Sequence, residues 1–366
     1  MITILIFLII LGLLVFVHEL GHFIAARALG VKVDEFGFGF PPRVWSVKGK
    51  KTVYSINWIP LGGYVKLHGE DGQSRDKESF TSQQAWKRII ILVAGVSMNI
   101  ILAAVIFSFG FVIGLPTDIS GGVPTGAKVR NPQVQILEVS KNSAAAGANL
   151  QVGDVLVSIN GIKINSIKTA QEITKNAGEN IISLQYERSH KVISTDVKLQ
   201  KLASSDQAGL GVGLAETGLV SFSLPRAIYQ GSSATIRSLG MIVTAFGSII
   251  GDLFSQQKVS VDVAGPVGIA ILTGQVVKLG FAYLLQFAAL LSLNLAIINV
   301  LPIPALDGGR LLFVIIEKVR GRPVSPTVEA KIHNTSFAIL MGLIVLVTFR
   351  DIFKIDFVQN IWSKIF

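Results

Sequence analysis

The strongest constraint on this chain is a conflict inside its first apolar stretch. From Ile2 to Leu29 the only strongly polar side chains before Arg27 are Thr3, His18, Glu19 and His22. The stretch exceeds the roughly 20 apolar residues that a bilayer requires, so it predicts a spanning helix. A cleaved signal peptide would show a basic n-region and a small-x-small cleavage pattern, and neither precedes the polar trio. Ionisable groups inside such a helix cost several kcal/mol unless they pair, line a cavity or bind an ion. Their spacing favours the ion. His18 and His22 are four apart and share a helix face, where both imidazoles reach one metal, and Glu19, one step round, is placed as a general base. Two imidazoles with an open coordination position suit zinc. The chain has no cysteine, so thiolate zinc sites, disulfides and cysteine nucleophiles are excluded.

Composition carries the membrane reading to the rest of the chain. Of 366 residues, 50% are hydrophobic and 15% charged, where soluble domains average about 25% charged; mean hydropathy is +0.58. A purely soluble enzyme does not fit. The net charge of +10 would suit nucleic acid or an anionic membrane surface. The apolar excess selects the lipid bilayer, and no nucleic-acid partner is expected. Further spans are expected from about Ile89 to Gly114, over Phe281 to Leu301, and over about Thr335 to Phe349 with room to extend backwards, which makes about four. Residues Ile228 to Leu253, interrupted by Arg237 and Asp252, read better as an amphipathic helix lying on the membrane surface.

Orientation follows from the basic loops. Arg27, Lys32, Arg43, Lys48, Lys50, Lys51, Lys66, Arg75, Lys77, Lys87 and Arg88 lie between spans one and two, and Arg310, Lys318, Arg320, Arg322 and Lys331 between spans three and four. Both loops should be cytoplasmic, with Leu115 to about Gly280 and both termini on the other side. A rise of 1.5 Å per residue puts His18 roughly 24 Å from Ile2 but about 16 Å from Leu29, so water should enter from the cytoplasmic end.

A third metal ligand is expected, because catalytic zinc usually has three. Asp307 is the best candidate. It follows Pro302 and Pro304, which break the helix, and precedes Gly308 and Gly309, so it should sit on irregular backbone at membrane depth. Its plainer reading is an N-cap for the next helix. Asn294 and Asn299, in the same apolar span, could hold a substrate backbone or orient a ligand, or simply bond between helices. Residues from about Ser120 to Leu202 change to soluble composition. Val134–Val139 alternates as a strand, Ser143–Gly147 reads as a helix, and Val152–Gly161 reads as turn, strand and tight Asn-Gly turn. This looks like a PDZ domain, a module that captures peptide ends or strands. Gly209–Gly213 lacks nucleotide-loop spacing and reads as a strand returning to the membrane. His68, His190 and His333 have no ligand-spaced partners and read as solvated or core histidines.

Taken together, these residues resemble the site-2 protease family of intramembrane zinc metalloproteases, most closely its bacterial RseP-type members, which regulate sigma-E proteolysis. The resemblance spans nearly the whole chain. It rests on His18-Glu19-Leu20-Gly21-His22, Gly62-Gly63-Tyr64-Val65-Lys66, Ala94-Gly95 followed by Asn99, Gly265 to Ile269, and Asn299 to Gly309. It implies zinc at His18, His22 and Asp307, Glu19 as catalytic acid/base, and Asn294 and Asn299 near substrate. It also implies that Gly62, Gly63 and Tyr64 belong to a membrane-associated β-structure presenting substrate as an added strand. Two features depart from the family: Val96 replaces a common Pro, and one PDZ domain replaces the tandem pair of the Gram-negative members.

The expected protein is therefore a polytopic α-helical membrane protein with a membrane-associated β-hairpin or sheet and one extramembrane PDZ-like α/β domain. The parts are 1–114, 120–202, 203–280 and 281–366. Its expected place is the bacterial inner membrane. Its expected substrates are single-pass membrane proteins such as anti-sigma factors and remnant signal peptides. The rival is a metal-binding transporter or receptor that uses His18, Glu19 and His22 as an ion path, with the PDZ domain as a docking module.

Overall fold

The computed structural model describes residues 2–70, 74, 76–188, 191–201, 208–255, 264–322 and 324–353, so His190 lies outside it. In chain order the elements are α1 Ile2–Ala28, β1 Val33–Lys48, β2 Val53–Leu67, α2 Ala85–Ile113, β3 Leu115–Asp118, β4 Lys128–Val139, α3 Ala144–Gly147, β5 Val155–Ile159 and β6 Ile162–Lys163. They continue with α4 Ile167–Ala177, β7 Ile181–Arg188, β8 Lys191–Lys198, β9 Gln200–Lys201, β10 Ala208–Gly209, β11 Val212–Ser221, α5 Leu224–Phe254, α6 Pro266–Leu279, α7 Phe281–Val300, α8 Asp307–Arg320 and α9 Pro326–Phe353. Contacts divide the chain into two compact units. One comprises Met1–Phe107, Gly231–Val277 and Leu284–Phe366, the other Ser108–Gln230 with Lys278–Tyr283.

Among the described residues, α1, α2, α7 and residues 327–353 of α9 are long and apolar enough to cross a membrane, which matches the four expected spans. The fourth does extend backwards from Thr335, to the start of α9. Between the first two spans, β1 lies against two segments of β2 at once. Phe36 pairs with both Val65 and Tyr54, and Gly37 with both Tyr64 and Ser55. β2 thus folds back on itself, and its Gly63–Leu67 half forms an outer strand of the hairpin. The far part of the hairpin exposes Phe40, Val44, Trp45, Ile56, Trp58 and Ile59, a surface suited to lipid rather than water. The root of the hairpin is buried with the helices, where Val33, Leu67, Phe80, Ile91, Leu92 and Val314 form one core.

The second unit contains a seven-stranded antiparallel sheet in the order β3-β11-β4-β5-β7-β8, with β6 paired to β5. The Asn160-Gly161 turn that joins β5 to β6 has positive φ at both residues, 50° and 77°, the geometry of a tight hairpin turn. β7 alternates exposed and buried along its length, and Ile182, Leu184 and Tyr186 enter a core with Val134, Ile136, Leu156 and Ile159. Within Gly209–Gly213, Gly209 ends β10 and Val212 begins β11, with Leu210 and Gly211 between the two strands. β11 pairs with β4 from Val212 to Ser221 and so belongs to the sheet of this unit.

Candidate metal centre

The centre is built where α1 crosses α2. Gly21 packs so tightly that a Cβ there would overlap the Ala94 carbonyl, and one at Gly95 would overlap the rings of His22 and His18. Small residues at these points let the two backbones approach, as membrane helices require. His18 and His22 are each only 5% exposed. The third side chain arrives from the loop after α7. Leu306 rather than Asp307 occupies the N-cap of α8, and it makes no side-chain cap bond. The Asp307 carboxylate turns instead to the histidines, with Oδ2 2.9 Å from His18 Nε2 and 3.1 Å from His22 Nε2. The glycines that follow are required by space: a Cβ at Gly308 would strike the carbonyls of Val300 and Leu301, and one at Gly309 that of Ile303.

The chemistry of these donors tests whether they fit a metal. His22 Nδ1 donates to the Ile91 carbonyl at 2.8 Å, so Nε2 carries the lone pair. That nitrogen and a carboxylate oxygen are both acceptors, and they repel at 3.1 Å unless a proton or cation lies between them. The two Nε2 atoms are 3.2 Å apart. Three such atoms converging in a buried position, from two imidazoles and one carboxylate, form the donor set of zinc peptidase sites. His18 Nδ1 faces the amide of the wholly buried Asn99 at 3.4 Å, while Asn99 Oδ1 has no partner. Exchanging the amide oxygen and nitrogen lets Oδ1 accept the Nδ1 proton and frees Nε2 for a metal.

Glu19 borders the same space. Val65 lines a cavity with it, and a Cβ on Gly63 would lie 3.9 Å from its Cγ, so the outer half of β2 runs beside it. That cavity, of about 340 Å³, is lined by Glu19, His22, Tyr64, Val65, Asp307, Arg310 and His333, among others. Tyr64 is held there by its hydroxyl, which donates to Glu35 at 2.6 Å. Glu70 and Arg310 form an ion pair that borders both this cavity and a second one lined by Asp34, Lys66, His68 and Ser74. Asn294 donates to the carbonyl of Leu290 in its own helix at 2.9 Å, and neither it nor Asn299 lines the cavity beside Glu19. Gly62, at φ 87°, packs on Val15 of α1. The contacts of Ile91 and His333 had no sequence signal, because each depends on a neighbour remote in the chain, and Asn99 was marked only by the Ala94-Gly95 motif before it.

The model of peptidase family M50 matches residues 6–343. The regulator of sigma-W protease RasP of Bacillus subtilis is 30% identical over 436 residues, which cover 96% of this chain and 98% of that protein. The zinc metalloprotease RasP of Shouchella clausii is 31% identical, with 96% of this chain and 99% of that protein covered. Among solved structures, the PDZ domain of an SdrC-like protein from Listeria monocytogenes is 23% identical over 24% of this chain and 92% of that chain, with a TM-score of 0.22.

Proposed function

Because this chain belongs to peptidase family M50 and is a zinc-dependent intramembrane endopeptidase of a multi-pass bacterial kind, we propose that His18, His22 and Asp307 hold the ion and that Glu19 is its acid/base. The observation that carries this reading is the convergence of three ligand atoms from residues 18, 22 and 307 in one buried place. When bound, zinc supplies a Lewis acid that polarises a peptide carbonyl and activates water. Glu19 accepts the proton of the attacking water and returns it to the leaving amine. Ile91 fixes the tautomer of His22.

Substrates are single-span proteins whose helix unwinds locally, since helical hydrogen bonds hide the backbone from attack. Membrane-anchored anti-sigma factors and remnant signal peptides have this form, and the name of the Bacillus relative supports the first class. The outer strand Gly63–Leu67 of β2 beside Glu19 supports capture of the unwound segment as an added strand, with Gly62, Gly63 and Tyr64 in contact with it. Asn294 and Asn299, which lie on α7 outside the cavity beside Glu19, are assigned contacts with a more distant part of the same substrate. The PDZ-like module selects chain ends or strands and, with both termini, lies opposite the cytoplasmic loops, as the distribution of basic residues supports. The transporter reading gives way to the family assignment.

Incubation of the purified full-length protein in detergent with a single-span substrate tests the proposal. Chelator-sensitive cleavage within the span is expected, and it should vanish together with bound zinc in His22→Phe. Cleavage that survives complete zinc removal would overturn the assignment.

A further inference from the structure

His333, on α9, is a half-buried ionisable side chain that the chemistry above does not use. Its Nδ1 lies 2.9 Å from the backbone nitrogen of Ala305. A backbone N–H only donates, so Nδ1 accepts, the imidazole is neutral, and its proton sits on Nε2. Nε2 is buried without a hydrogen-bond partner, 3.8 Å from a Glu329 carboxylate oxygen. The ring rests against Phe313, with centroids 5.4 Å apart. The orientation of the imidazole is therefore fixed by packing on one side and by a single hydrogen bond on the other.

The group it holds is unusual. Ala305 has φ of 90°, on the side of backbone space that a Cβ disfavours. Such a conformation persists only where its surroundings over-determine it, and it tends to occur where function demands the geometry. Two residues later comes Asp307. The intervening turn is tight, with Leu306 N donating to Ile303 O at 3.1 Å and Gly309 N to Leu306 O at 3.1 Å. A shift at Ala305 therefore passes directly to the carboxylate.

We propose that His333 is a positioning residue for Asp307. By accepting the Ala305 amide proton from the fourth span, it locks the turn that sets the carboxylate against the two imidazoles. The proposal rests on Asp307 being a metal ligand.

The test uses the full-length protein in detergent, with zinc affinity measured by chelator competition and ligand geometry by the visible absorption of the cobalt(II)-loaded form. Asp307→Ala serves as the reference and should lose zinc. His333→Phe keeps the ring against Phe313 but lacks an acceptor. It should bind zinc about 10–100-fold more weakly, in the range of lost outer-shell contacts, and shift the cobalt spectrum. His333→Gln, which offers an acceptor oxygen, should recover most of the affinity and the spectrum. Ala305→Gly should also recover part of it in the His333→Phe background, because glycine adopts φ of 90° without strain.

Wild-type affinity and spectrum in His333→Phe, or a glutamine variant as weak as the phenylalanine one, would overturn the proposal while Asp307→Ala still loses zinc. If Asp307→Ala retains zinc, the ligand assignment itself fails. Should His333→Phe not fold, the double variant decides. Zinc binding by folded His333→Phe/Ala305→Gly supports the role, and a folded double variant that binds no better than Asp307→Ala refutes it.

Discussion

The metal centre and the core of the sheet unit differ in the side chains at their middle. Inside the helical unit lie His18, His22, Asn99, Thr273 and Ser292, while Ile4, Ile9, Ile101, Val105 and Leu346 face outward. Inside the sheet unit lie Val134, Ile136, Ile159, Ile182 and Leu184, none with measurable exposure. The contrast follows from the solvent. Water drives apolar side chains together at roughly 25 cal/mol per Å². Lipid gives helices no such push, so they associate through close backbone contact and polar bonds. Gly21 against Ala94 and Ser292 donating to the Asn99 carbonyl at 2.8 Å are contacts of that type. The core of the sheet unit is held by what it excludes from water, and the metal centre by specific contacts around a chemical site, with the apolar core at the hairpin root beside it.

The sharpest way to break this comparison is to change chemistry without changing packing. Glu19→Gln keeps the shape of the side chain and leaves all three proposed ligands in place. Cleavage should fall by about 10²–10⁴-fold, as for general-base loss, with zinc still bound. Near-normal turnover in a zinc-loaded variant would remove Glu19 from the mechanism.

The same contrast decides what the sequence made legible. The four spans and the paired histidines stand out because polar residues in an apolar run are costly and therefore conspicuous. The strand at Val134–Val139 and the Asn160-Gly161 turn were readable from alternation and turn chemistry. Asp307 was reachable as the missing third ligand, although its backbone position allowed an N-cap reading that the structure sets aside. What stayed hidden depends on long-range pairing. Nothing local in Val212–Ser221 says that it completes the sheet of the second unit beside β4. Nothing in Val53–Leu67 says that it folds back to pair twice with β1. His333 looked like an ordinary histidine because its partner, Ala305, is a backbone amide in another element.

A second test acts on the sheet unit. Ile182 has 0% exposure and pairs with Val197 across β7 and β8. Ile182→Ala should destabilise that unit by about 2–5 kcal/mol through lost transfer energy and the cavity left behind. Thermal unfolding of the unit, followed by hydrogen exchange in β7, should shift downward while zinc affinity in the helical unit stays unchanged. A parallel loss of zinc would show that the two regions do not hold themselves together independently.

A third test acts within the helical unit on a contact that excludes no water. Asn99 is wholly buried and faces His18. Asn99→Leu conserves volume but removes the acceptor that sets the His18 tautomer, and zinc affinity should drop about 10–100-fold. Asn99→Asp, which restores an acceptor, should bind more tightly than the leucine variant. Equal affinity for all three proteins would mean that packing alone orients His18.

The smallest expected effect comes from an exposed tie at the root of the hairpin. His68 Nδ1 lies 3.1 Å from Asp34 and Nε2 2.8 Å from Asp76, and the Phe80 amide donates to the His68 carbonyl at 2.8 Å. Hydrogen bonds to Asp76 and then Asp34 push the imidazole above its ordinary value of 6.5. Asp76 is lowered by its bonds to His68 and Ser74; burial works against Asp34, but bonds to Lys32 and His68 outweigh it and lower that carboxyl too. The signs then follow from linkage. The histidine contribution is complete below pH 6.5 and disappears as pH rises through the raised folded value. The carboxylate contributions are complete above the ordinary 3.8 and disappear as pH falls through the lowered values. The tie is therefore strongest between those limits and loosens on the alkaline side first. Solvent screens so exposed a cluster, so the effect should remain local: exchange of the Phe80 amide should quicken above the His68 transition, while unfolding of the sheet unit does not move. An NMR titration measures the decisive quantity. Asp76→Asn should bring the His68 midpoint down towards 6.5, with a smaller shift for Asp34→Asn, following the order of the two bonds. A midpoint at or below 6.5 in the unaltered protein would mean that the imidazole is not held between its two aspartates.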